Sequence, residues 1–207
     1  MSRSVLLRGL AVLSLALGFA APALAAVPSL DQITADRVLG KADAPVTIYE
    51  YASLTCPHCA HFTTDILPEI EKKAVDTGKA RIIFRDFPLD GAALKAAALA
   101  RCLPPEQYYP FIKMLFASQA NWAVADKPED VLAKRAALAG LSTDTAMACM
   151  TDTKILDALS QKRMDATTKY KVQATPTFIF NDGAERIDGA ASAQQFLDMI
   201  DKLTPKK

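Results

Sequence analysis

Cys56-Pro57-His58-Cys59 directly follows a β-prone run, Val46–Ala52, and opens a stretch with helical spacing. Two cysteines two residues apart at a strand-to-helix junction read as a redox pair. The thiolate is the reactive form in disulfide exchange. Pro57 is a favoured first helical residue, which places Cys56 at the helix N-terminus. Unpaired N–H groups and the positive dipole end favour negative charge there. Cysteines in such positions have pKa values of about 3.5–7.5, against about 8.5 for a free one. His58 offers a further donor or positive charge. The competing reading is half of a zinc site. The two histidines, His58 and His61, both sit beside the pair. Four ligands within six residues would crowd one helical turn, so no metal and no cofactor are expected.

Met1–Ala25 has the layout of a secretory signal peptide. Arg3 and Arg8 precede an apolar stretch, Leu10–Ala20, which is shorter than a membrane span. Ala23-Leu24-Ala25 supplies the small-x-small cleavage site. The mature chain would run from Ala26 to Lys207, a single domain with room for a large insertion. All four cysteines stay in it, in an oxidising compartment where disulfides persist. With the leader removed, 22 basic residues face 23 acidic ones. That balance gives no reason to expect a nucleic-acid partner.

Val27–Ala44 reads as an irregular lead-in. Val46–Ala52 is a strand candidate, Pro57 to about Thr77 a helix that Pro68 interrupts, and Ala80–Phe87 a second strand. Strand, helix, strand makes a βαβ unit with parallel strands. Residues from about 89 to 171 form a helical block of four or five helices, with Trp122 in a loop. Met114, Met147 and Met164 read as helix-core residues. Thr175–Asn181 returns to strand character, Asn181-Asp182-Gly183 is a hairpin turn signal, Ala184–Asp188 pairs back, and Ser192–Leu203 is an amphipathic helix. The expected sheet has four strands. Cys102 and Cys149, both in the helical block, read as a structural disulfide, with two separate buried thiols as the alternative.

This order, with Cys56-Pro57-His58-Cys59 after the first strand and Thr175-Pro176-Thr177-Phe178 before the third, resembles the DsbA family of exported thiol–disulfide oxidoreductases. The resemblance implies an α/β thioredoxin-like fold with an inserted helical domain at about 89–171. It implies that Cys56 is the exposed nucleophile, Cys59 the buried resolving cysteine, and Pro176 a cis residue facing them. Glu50 matches a buried acid behind the site, placed to move a proton at Cys59; a strand-end glutamate reaching solvent is the alternative. Thr175 stands where the best-known oxidases carry valine, which looks more like the isomerases. The implied function is disulfide formation in reduced exported proteins in the periplasm, with a membrane redox partner for reoxidation. About 20 residues precede Val46 in the mature chain, too few for an assembly domain, so a monomer is expected.

Overall fold

A computed structural model describes residues 27–205. The Met1–Ala25 leader lies outside the described residues. Helix α1 is Leu30–Thr34 and strand β1 is Val38–Leu39; β2 is Val46–Ala52. The next helix, α2, joins four pieces end to end: Pro57–His61, a π-helical Phe62–Ile66, Leu67–Ile70 and a π-helical Glu71–Val75. Strand β3 is Ala80–Asp86. Six helices follow: α3 Gly91–Cys102, α4 Pro105–Ala117, α5 Gln119–Trp122, α6 Pro128–Leu138, α7 Thr143–Thr151 and α8 Thr153–Tyr170. Strand β4, Thr177–Phe180, β5, Glu185–Asp188, and α9, Ala193–Leu203, complete the chain.

The strands lie in the order β1-β3-β2-β4-β5. Strand β2 is parallel to β3 and antiparallel to β4. It is central and covered on both faces, which is why its sequence is mostly apolar rather than alternating. One face packs Val46, Ile48, Phe178 and Phe180 against Phe62 and Ile70 of α2 and Phe196 and Ile200 of α9. The opposite face sets Tyr51 and Ile179 against Ala166 of α8. The helical block has its own core, and that core also takes in Cys56 and Cys59. The redox pair therefore sits at the seam between sheet and block. Within the block the Cys102 and Cys149 sulfurs are 2.07 Å apart, a disulfide between α3 and α7.

Several sequence expectations are corrected. The lead-in is ordered, not irregular. Ser29 caps α1 in a capping box with Gln32, and β1 pairs with β3 as a fifth strand. Pieces of five and two residues are too short to leave a hydrophobic period. Pro68 is absorbed within α2. Proline has no N–H and its ring crowds the carbonyl four residues back. The turn before it widens, so that Leu67 N–H bonds the Phe62 carbonyl, five residues back. Trp122 is in helix α5 rather than a loop; it is fully buried and its indole N–H donates to the Leu115 carbonyl at 2.9 Å. Met164 is 60% exposed and does not belong to the core.

The lead-in is anchored by a charge. Arg101, 2% exposed, donates from Nε to Asp86 Oδ2 at 2.7 Å. Its terminal nitrogens reach the carbonyls of Ala35 at 2.7 Å and Phe84 at 3.2 Å. One guanidinium thus ties α3, the end of β3 and the segment after α1. Removing one partner of a buried pair strands the other charge. Asp86→Ala should cost about 3–5 kcal/mol in denaturant unfolding; a loss under about 1 kcal/mol would mean that water reaches Arg101 readily.

Candidate active site

Cys56 is the N-cap of α2, with φ −79° and ψ 121°, and Pro57 takes the first helical position. Its thiol donates to the Thr175 carbonyl at 3.3 Å. The Thr175–Pro176 peptide bond is cis. Cys56 is 6% exposed and Cys59 fully buried. The expectation of an exposed nucleophile is therefore corrected: Cys56 lies at the lip of the helical block's core, and Thr175 stands over its sulfur.

The two thiols are pushed in opposite directions. Cys56 is drawn down to about 5, from an ordinary 9.0. The largest cause is the hydrogen bond from the Cys59 thiol; the Thr175 side chain and the backbone N–H groups of Cys59 and His58 add to it, while burial opposes. Burial pushes the Cys59 thiol up, far beyond the ordinary range, and its bond to Cys56 adds to this. The pair thus holds one anionic sulfur and one protonated sulfur that donates to it. His58 is exposed, and its ring makes no hydrogen bond among the described residues. It acts on Cys56 through its backbone. His61 Nδ1 lies 2.6 Å from Asp65, on the exposed side of the helix. Among the described residues no group of three or more His, Cys, Asp or Glu is placed to hold a metal.

Thr175 contributes two groups with opposite effects. Its carbonyl accepts from the neutral thiol. Its hydroxyl Oγ1 is buried with no aligned partner among the described residues, yet lies close enough to Cys56 to favour the thiolate. Loss of the thiol proton gives that hydroxyl an acceptor. The loop is fixed by Thr177, whose hydroxyl donates to the Ala174 carbonyl at 2.9 Å.

Glu50 sits mid-strand in β2, paired with Phe84 on one side and Phe178 on the other. It is 2% exposed, not a strand-end residue in solvent. Burial pushes its carboxyl up to about 8. Its charge would act on Cys59, and its Oε1 has no hydrogen-bond partner among the described residues. A carboxyl that is neutral near pH 7 beside a high-pKa thiol can lend and recover a proton.

Sequence reading missed the surroundings of the active-site loop. Thr55 donates to Asp90 Oδ2 at 2.6 Å, and Leu89 N–H donates to the Ser53 hydroxyl at 3.3 Å. Gln119 donates to the carbonyls of Leu54 and Cys56. Asp90 carried a usable signal, since Asp before an Ala-rich run is an N-cap pattern. Gln119 carried none.

Two variants test these roles. Thr175→Val removes the hydroxyl and should raise the Cys56 pKa. The protein should become less oxidising by roughly 20 mV, the equivalent of about 1 kcal/mol for a two-electron couple. Equilibration with glutathione measures the shift, and an unchanged potential would confine Thr175 to its backbone role. For Glu50 the folded pKa lies above the ordinary 4.5, so the folded state binds more protons between 4.5 and about 8. Glu50's contribution to stability therefore falls as pH rises through that window, opposite in sign to that of the low-pKa Cys56 thiol. Glu50→Gln should abolish this slope, gaining on the wild type from pH 4.5 to 8 in denaturation midpoints; parallel pH profiles would show that Glu50 is solvated.

Comparison with known proteins agrees with this fold. Residues 32–202 match the family model described as Thioredoxin. The crystal structure of Wolbachia pipientis alpha-DsbA1 superimposes with a TM-score of 0.75 at 36% identity, covering 82% of this chain and 91% of that one. Oxidised BdbD from Bacillus subtilis superimposes at 0.70 with 25% identity, covering 87% and 97%. Disulfide bond formation protein D of Bacillus subtilis is 32% identical over 165 residues, 76% of this chain and 72% of that protein. A Rickettsia bellii relative whose name carries the activity protein-disulfide oxidoreductase is 33% identical over 147 residues, and the match spans 57% of its length. With its inserted helical domain and its Cys56–Cys59 pair at the head of α2, the chain belongs to the thioredoxin family as a DsbA-like member.

Proposed function

We propose that this chain is a protein thiol–disulfide oxidoreductase that introduces disulfides into reduced, exported proteins in the periplasm. The observation that carries this reading is the opposed pair of thiols, with Cys56 drawn down to about 5 and Cys59 held protonated behind it. In the oxidised state a substrate thiolate attacks the Cys56 sulfur. The Cys56–Cys59 bond breaks, and Cys59 leaves and takes up a proton, for which neutral Glu50 is the nearby donor. A second substrate thiolate attacks the substrate sulfur of the mixed disulfide and expels Cys56 as a thiolate. The substrate loses two electrons and the cysteine pair gains them. A low-pKa thiol is the better leaving group, so the disulfide passes outward. A membrane redox partner would then reoxidise the pair. The protein acts as a monomer and needs no cofactor in this scheme.

A second reading, isomerase or reductase, draws on Thr175, whose buried hydroxyl alters the stability of the Cys56 thiolate. A reduced model peptide and scrambled ribonuclease, assayed side by side with an insulin-reduction assay, separate the two. The oxidase reading expects rapid oxidation of the peptide and little recovery of scrambled ribonuclease. Efficient unscrambling with slow peptide oxidation would reverse the assignment.

A further inference from the structure

Gln119, the first residue of α5, lies 63 positions from Cys56 in sequence, yet its side chain holds the active-site loop. Its amide nitrogen donates to the Leu54 carbonyl at 2.8 Å and to the Cys56 carbonyl at 3.0 Å. Only the nitrogen end of an amide can donate to carbonyls, so these partners fix its orientation. The Cys56 carbonyl is also the one that opens α2, accepting from Ala60 N–H at 3.1 Å. Cys56 has no side-chain capping bond of its own. Its sulfur stays in line with the first N–H groups of α2 only while the Cys56 backbone keeps its extended N-cap conformation. The Thr175 loop restrains Cys56 at the sulfur, and Gln119 restrains it at the carbonyl.

The base of this hold is itself bonded to α4. Buried Trp122 pins α5 to α4 through the Leu115 carbonyl. Ser118, immediately before Gln119, donates to the Met114 carbonyl at 2.7 Å. The other end of the same loop is tied to the helical block as well. Thr55 bonds Asp90, whose second oxygen caps α3 by accepting from Ala93 N–H at 2.8 Å. The block therefore grips residues 53–56 from two directions.

We propose that Gln119 is a positioning residue for Cys56, through which the inserted helical block sets the stability of the thiolate and so the poise of the Cys56/Cys59 pair. The proposal rests on the redox reading above. Gln119→Met keeps the side chain's length and loses both donors. Gln119→Glu keeps its shape and turns an acceptor toward the two carbonyls; if Gln119→Met does not fold, this variant carries the comparison. The readouts are thiolate ultraviolet absorbance against pH and the equilibrium with glutathione, with the melting temperature measured alongside. Both variants should show a raised Cys56 pKa. Their glutathione equilibrium should shift toward the oxidised form by about fivefold, the part of a tenfold step that one hydrogen bond's net worth represents. A merely structural role would lower the melting temperature and leave both redox readouts in place. Wild-type exchange with glutathione together with an unchanged or lowered Cys56 pKa in the variants overturns the role of Gln119 alone. A wild-type chain that forms no Cys56–Cys59 disulfide with glutathione overturns the redox reading, and this proposal with it.

Discussion

An anionic sulfur held almost out of water is the constraint around which this molecule is arranged. Burial alone would raise a thiol's pKa, and the Cys56 side chain is largely covered. The charge is tolerated because donors converge on it: the Cys59 thiol, the Thr175 side chain and two backbone N–H groups at the head of α2. They act together because one residue, the N-cap, is the point at which strand β2, helix α2 and the Thr175–Pro176 loop meet.

The second cysteine and Glu50 complete the division of labour. The same burial that opposes charge on Cys56 keeps Cys59 protonated and raises Glu50. Two thiols of identical chemistry thus differ because one accepts from the other's thiol, from Thr175 and from backbone N–H groups, while the other is enclosed by core side chains. Glu50 costs stability in the middle of a central strand, since its Oε1 finds no partner there among the described residues. In the proposed reaction its position beside Cys59 gives that cost a chemical use.

The helical block does more than extend the sheet's hydrophobic cover. Its core includes Cys56 and Cys59, its Cys102–Cys149 disulfide joins α3 to α7, and Arg101 binds it to the sheet and to the lead-in segment at once. Arg101 has acceptors on three sides, which a buried guanidinium requires. Its bonds to the Ile33 and Ala35 carbonyls fix the lead-in, whose Ile33 is itself buried in the block's core.

The sequence by itself determined the βαβ unit, the helical block, the closing hairpin and helix, and the chemistry of Cys56 and Cys59. Those features rest on local signals: apolar runs and periods, an Asn-Asp-Gly turn, a proline at a helix start and a two-residue cysteine spacing. Glu50 was legible as an anomaly, a lone carboxylate in an apolar run. Tertiary structure decided the fifth strand, the π-helical turns that absorb Pro68, the near-burial of Cys56 and the reach of Gln119 to its carbonyl. Apart from the π-helical turn before Pro68, which is a local response to the proline, each depends on groups far apart in the chain, as when Arg101 bonds residues 33–35 or α5 approaches residues 54–56. A hydrogen bond across 63 positions leaves no period and no spacing to read. It exists only because packing of Trp122 and α4 brings the amide within 3.0 Å of the carbonyl it holds.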